Sequence, residues 1–119
     1  NHIGIVNIMP SLVSNTIAYI EQHISEKITL DVLSDSFHHN GTYISRCFKK
    51  ITGISLQQYI IRKRITLAKR YLFEGYSPYD ACILAGFNDY SNFSRTFKQQ
   101  VGISPKRFQT QNTPGQIAI

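Results

Sequence analysis

Acidic residues are missing from the middle of this chain: no Asp or Glu stands between Ser36 and Phe73. The same window holds Arg46, Lys49, Lys50, Arg62, Lys63, Arg64, Lys69 and Arg70. Across all 119 residues, thirteen Lys and Arg outnumber seven Asp and Glu, giving a net charge of +6. Mixed signs would serve solubility equally well, so a one-signed run this long points to a polyanionic partner. A membrane surface is disfavoured, because the cations are interleaved with a helical apolar pattern instead of forming a tail.

Other absences narrow the class. No apolar run approaches the roughly 20 residues of a membrane span. The start, Asn1 to Ser11, has neither the charged region nor the small-residue cleavage site of a signal peptide. It also lacks an initial Met, so a longer parent protein is expected. Cysteine is scarce: Cys47 and Cys82 fall in expected helices with no CxxC and no paired histidines, which reads as buried thiols in a reducing cytoplasm. His2 and His23 show no ligand spacing, so no metal is expected. Scattered acids, unpaired histidines and no glycine-rich phosphate loop argue against an enzyme and against a cofactor. RNA binding is disfavoured because no RNP-like aromatic strand is present.

What the chain does contain is a repeat. Residues 44–59 (ISRCFKKITGISLQQY) and 93–108 (FSRTFKQQVGISPKRF) align at an offset of 49 with seven identities. These are Ser45/Ser94, Arg46/Arg95, Phe48/Phe97, Lys49/Lys98, Gly53/Gly102, Ile54/Ile103 and Ser55/Ser104. Apolar residues four apart, Ile44/Phe48 and Phe93/Phe97, share one helix face and leave Arg and Lys off it. Each copy then stops at a Gly suited to a left-handed position and restarts at a Ser N-cap. Two alike basic helices suit a periodic partner touched twice.

Apolar spacing and punctuation predict an all-α fold of about seven helices: two helix-turn-helix subdomains joined by a long linker helix. The expected helices span about 11–25, about 29–37, about 41–51, Ser55 to about Phe73, Pro78 to about Ala85, about 89–101 and about 105–110. Tyr59, Ile60, Ile65, Ala68 and Leu72 form the buried stripe expected of the long one. The expected organisation is a linker or frayed start at 1–10, a first subdomain at 11–54, the linker helix at 55–73, a second subdomain at 74–110 and a flexible tail at 111–119.

Gly86 to Phe108 (GFNDYSNFSRTFKQQVGISPKRF) and Tyr43 to Ile60 (YISRCFKKITGISLQQYI) together resemble the DNA-binding domain of AraC/XylS-type transcription regulators. The resemblance covers about residues 14–110. It implies sequence-specific binding of double-stranded DNA, with the second helix of each pair in the major groove. It also implies that the chain is the output domain of a bacterial regulator whose sensing or dimerisation domain lies N-terminal. RNA polymerase is a further partner that the resemblance admits, and no membrane is involved. The competing reading is a helical protein-docking module without DNA specificity. One departure stands out: His38 occupies a turn where the family commonly has Gly, and a left-handed backbone there strains most side chains.

The residues toward the N-terminal half of each second helix are expected nearest base edges: Gly41, Thr42, Ser45 and Arg46, then Tyr90, Ser91, Ser94 and Arg95. Arg suits a bidentate pair with guanine; its bland alternative is a salt bridge or a phosphate contact. Lys49, Lys50, Lys98, Lys106 and Arg107 are expected on phosphates, which position without reading sequence. The aromatic and aliphatic stripe residues are core. An 18-residue linker helix is roughly 27 Å long, against about 34 Å between major-groove faces on one side of DNA. A monomer reading two groove segments would therefore bend the DNA or dock one helix partially.

Overall fold

Serine, threonine, asparagine and aspartate cap the starts of six helices in this chain, and positive-φ residues set where several of them end. In the computed structural model, which describes the backbone of residues 2–112 and the side chains of 8–112, the described residues form α1 (His2–Gln22), α2 (Leu30–Phe37), α3 (Gly41–Thr52), α4 (Leu56–Phe73), α5 (Pro78–Leu84), α6 (Tyr90–Val101) and α7 (Pro105–Gln111), with no strand. The tail expected at 111–119 lies, from 113 onward, outside the described residues. Two compact units meet between Ile61 and Arg62, inside α4.

The first helix departs from expectation. It reaches back to His2, through residues read as a linker, and ends at Gln22. Pro10 stands inside it. A proline costs the helix one i→i−4 bond, and that deficit does not stop α1. Beyond Pro10, α1 buries Leu12, Val13, Thr16 and Ile20. The Thr16 hydroxyl donates to Leu12 O at 2.8 Å, so its burial leaves no polar atom unsatisfied.

In the unit ending at Ile61, α1 and α2 both pack on α3. Their core is Leu12, Val13, Ile20, Leu33, Ile44, Cys47, Phe48, Leu56 and Ile60, with Tyr59 edge-on to Phe48 at 5.3 Å. At Ser55 the side chain accepts from Gln58 N while Gln58 Oε1 accepts from Ser55 N, a reciprocal capping box that starts α4.

The unit from Arg62 onward has an aromatic core. Phe93 lies 4.9 Å from Phe87 and 5.7 Å from Phe97, and Phe97 lies 5.6 Å from Phe108. Ile65, Ala68, Leu72, Ala81, Cys82 and Ala85 are buried with them. The C-terminus of α4 closes with Tyr76 N donating to Tyr71 O and Gly75 N to Leu72 O, the paired bonds of a Schellman motif. The Tyr71 and Tyr76 rings meet edge-on at 5.2 Å across that motif. Gln109 Nε2, from α7, donates to Leu72 O and Tyr76 O, tying α7 to the end of α4 and to the turn that follows it.

His38 ends α2 at φ 57° and ψ 35°, the sole positive-φ residue other than glycine among those described. Its N–H donates to Ser34 O at 2.8 Å, so the left-handed turn keeps its hydrogen bond and only the side chain is strained. A left-handed non-glycine residue costs roughly 1–2 kcal/mol, and glycine's greater unfolded-state freedom returns part of that. His38→Gly is therefore expected to stabilise the chain by roughly 0.5–1 kcal/mol, read as a higher urea midpoint at unchanged slope.

Candidate nucleic-acid interface

The second helix of each pair starts on a side-chain oxygen. Asn40 Oδ1 accepts from Thr42 N at 2.8 Å and Tyr43 N at 3.4 Å. Asp89 Oδ1 accepts from Ser91 N at 3.0 Å and Asn92 N at 3.3 Å. Asn40 and Asp89 are themselves 49 residues apart, so the repeat extends beyond the stretch that sequence identity marks. Each helix ends at a left-handed glycine, Gly53 (φ 84°) or Gly102 (φ 97°), whose N–H donates to Lys49 O or Lys98 O. A side chain at either position would carry the left-handed strain that glycine avoids.

Burial fixes what these helices show. Ile44, Cys47 and Phe48 on α3, and Phe93 and Phe97 on α6, are at most 2% exposed. Thr42, Arg46 and Lys50 are exposed and four apart on α3; Ser91, Arg95 and Gln99 repeat that column on α6. Lys49, Lys98, Lys106 and Arg107 are exposed as well, the last two in the first turn of α7. Arg46 and Arg95 form no ion pair with any described carboxylate. An internal salt bridge, the bland alternative for these arginines, is therefore not made among the described residues.

Three expectations change. Ser45 and Ser94 are half-buried, set back from the exposed column. Gly41 packs against α2: a Cβ on it would lie 2.8 Å from Leu30 Cβ and 3.2 Å from Leu30 O. Its bareness is thus explained by close helix approach. The basic window is also not a single free surface. Arg70 pairs with Glu74 at 3.4 Å, Lys69 Nζ lies 5.9 Å from the centre of the Phe108 ring, and half-buried Arg64 has its pKa lowered by desolvation. Glu74 lies just past the window's edge, one helical turn from Arg70, where a scan for acids inside the window does not look.

Asn92 and Gln99, both exposed on α6, and the half-buried Tyr43 on α3 were not among the residues expected at the interface. The 49-residue offset was the available signal, since Gln99 stands where Lys50 does and Asn92 where Tyr43 does. A hydrogen bond with the Cys47 side chain raises the Tyr43 pKa. Beside it a cleft of about 550 Å3 runs along α3, lined by Met9 of α1 with Thr42, Arg46 and Lys50 among others. Cys47 and Cys82 are buried free thiols. Burial first, and then the Asp89 charge, push the Cys82 thiol up, so it stays protonated. Among the described residues no helix is long and apolar enough to cross a membrane, and no group of His, Cys, Asp or Glu is placed to hold a metal ion.

A helix-turn-helix domain family matches residues 33–111, two thirds of the chain. The chain belongs to the AraC/XylS-type helix-turn-helix family. Within it, the probable transcriptional regulator LumQ of Photobacterium leiognathi is 38% identical over 92 residues, 76% of this chain and 37% of that protein. The chain thus spans well under half the length of that relative. The C-terminal domain of the two-component response regulator yesN of Fusobacterium nucleatum superposes with a TM-score of 0.74 at 32% identity, covering 84% of this chain and 96% of that one. The DNA-binding domain of AdpA, solved in complex with a target DNA, shares the fold at a TM-score of 0.76 and 23% identity, covering 82% and 89% of the two chains. As an AraC/XylS-type domain, this chain is a DNA-binding domain of the kind that transcription regulators carry.

The Gly41 contact gives a test whose sign discriminates. On helix propensity alone, Gly→Ala in a helix stabilises by up to about 1 kcal/mol. Against Leu30, Gly41→Ala is instead expected to destabilise by about 1–3 kcal/mol, the range for overpacking. Thermal or urea unfolding of the variant decides between a packing glycine and a free helix end.

Proposed function

We propose that this AraC/XylS-type domain binds double-stranded DNA sequence-specifically, with α3 and α6 as its two major-groove readers. The observation that carries the reading is the matched column of exposed side chains, Thr42-Arg46-Lys50 and Ser91-Arg95-Gln99, each centred on an arginine with no ion pair among the described residues. Each column rises from a capped helix N-terminus, the end from which helix-turn-helix proteins reach base edges. Arg46 and Arg95 take the base-reading role, since a guanidinium fork matches guanine O6 and N7. Thr42, Ser91 and Gln99 flank them, and Gly41 serves packing. Lys49, Lys50, Lys98, Lys106 and Arg107 take phosphates, which set register without reading sequence.

In the full protein this domain is the output element of a bacterial, cytoplasmic regulator. A sensing or dimerisation domain lies N-terminal to it, and RNA polymerase is a further partner when the site lies at a promoter. The solved complex of AdpA's domain with a target DNA supports DNA as the ligand class for a fold of this kind.

Selection from a random duplex library tests specificity and yields the site. Enrichment of an asymmetric sequence spanning two adjacent groove segments is expected, and a pool that stays random would overturn the reading. On the selected duplex, Arg46→Ala and Arg95→Ala should each cost about 1–3 kcal/mol and relax preference in different halves of the site. Equal losses on selected and random DNA would reduce both arginines to phosphate clamps.

Salt titration separates the lysines from the arginines. Affinity should fall linearly in log–log terms as salt rises, through counterion release. Lys49→Ala and Lys98→Ala should each lower that slope by roughly 1, weakening selected and random duplexes alike. A flat salt dependence would favour the protein-docking alternative.

A further inference from the structure

Two tyrosines near the start of α6 are exposed, yet their rings are held. Tyr79 on α5 is 56% exposed and Tyr90 is 42% exposed. Their rings are stacked, centroids 6.2 Å apart and planes 20° apart. Tyr90 also lies 5.8 Å from the ring of fully buried Phe93. An exposed ring that touches both a stacked neighbour and a core ring has less rotamer freedom to lose, so it is a preorganised apolar contact.

The first helix pair also stacks two rings, His39 and Tyr43 at 5.7 Å, but Tyr43 is half-buried and stands two positions further into its helix than Tyr90 does in α6. Tyr90 is the residue after the Asp89 cap, and its counterpart after the Asn40 cap is Gly41, which Leu30 leaves no room for a side chain. The second pair has one residue more between its two caps, Ser77 to Asp89 against Thr29 to Asn40. That longer connection accompanies a bulky residue at the position where the first pair tolerates only glycine.

Resting on the reading that α6 enters the major groove by its N-terminus, we propose that Tyr90 packs on the C5-methyl of a thymine in one half of the site, and that Tyr79 is the positioning residue that holds Tyr90's ring. Thymine is the base whose major-groove edge carries an apolar group, and a fixed ring edge buries that methyl without asking for a hydrogen bond. Gly41 offers α3 no side chain to do the same. Of the two residues that follow the caps, only Tyr90 carries a ring to the groove.

The test replaces each thymine of the selected duplex, in turn, by uracil, which removes the methyl and leaves every hydrogen-bonding group. The 119-residue chain should bind about three- to fivefold more weakly at one position, the scale of one buried methyl group. Tyr90→Ala should bind the thymine and uracil duplexes alike there. Tyr79→Ala should shrink the difference, while Tyr79→Phe keeps it, because the stack needs the ring and not the hydroxyl. Circular dichroism confirms that each variant folds. If every uracil duplex binds like the parent, the methyl contact is wrong, even where Arg95→Ala still relaxes specificity and base reading by the arginines stands. If Tyr79→Phe loses as much as Tyr79→Ala, the hydroxyl is the contact and the positioning role is overturned.

Discussion

Burial of Ile44, Cys47 and Phe48 along α3, and of Phe93 and Phe97 along α6, sets each helix's rotation about its own axis. Residues on a helix are about 100° apart, so a turn by one position would bring at least one buried phenylalanine to the surface. Each such side chain is worth about 1.5–3 kcal/mol when buried, whereas a surface pair along a helix is worth about 0.2–0.5 kcal/mol. The core therefore outweighs any preference of the surface residues. Thr42, Arg46 and Lys50, or Ser91, Arg95 and Gln99, face outward because of what lies behind them.

Within that constraint the two helices differ electrostatically. The α3 start is capped by neutral Asn40 and its exposed surface carries Arg46, Lys49 and Lys50. The α6 start is capped by anionic Asp89, and its surface carries Arg95 and Lys98. A carboxylate at a helix N-terminus is favourable for the fold, since it meets the positive end of the helix dipole. Toward a polyanion it is a like charge, and it sits beside the groups proposed to read bases. On the proposed reading α3 draws more of its affinity from phosphates, while α6 depends more on shape and apolar contact. The stacked tyrosines lie at the end where that second kind of contact is needed.

Much of this was legible in the chain. Gly53, Gly102, Ser55, Ser104 and Pro78 are punctuation whose conformational preferences are local, so α2 to α7 fall within a residue or two of where those residues put them. The start of α1 was not legible, because Pro10 is a local stop signal that the helix runs through. Asn40 read as a turn residue and Asp89 as the first residue of its helix, since an N-cap belongs to both the turn and the helix. Gly41 looked like an accessible helix end, yet its reason is Leu30, eleven residues away and on another helix. The basic window looked uniform because the carboxylate that pairs with Arg70 lies just outside it. Tyr79 carried no signal: one exposed ring on a seven-residue helix has no periodicity to betray it. Local chemistry was readable, and contacts between elements were not.

Duplication within one chain permits what a symmetric dimer cannot. In an isologous dimer both readers are the same residues, so the preferred site repeats itself about a two-fold axis. Here several of the seven identities build the helix: Phe48/Phe97 fill the core, Gly53/Gly102 end the helix and Ser55/Ser104 start the next. Arg46/Arg95 keeps the centre of the exposed column, and the positions one turn to either side diverge, Thr42 to Ser91 and Lys50 to Gln99. Gln is suited to adenine N6 and N7, whereas Lys suits guanine or a phosphate. Two helices, each fixed in rotation by equivalent core residues of its own unit, thus carry different chemistry around equivalent arginines. Under the proposed mode of binding, such a chain requires two unlike half-sites, and their order along the DNA gives the bound domain a direction.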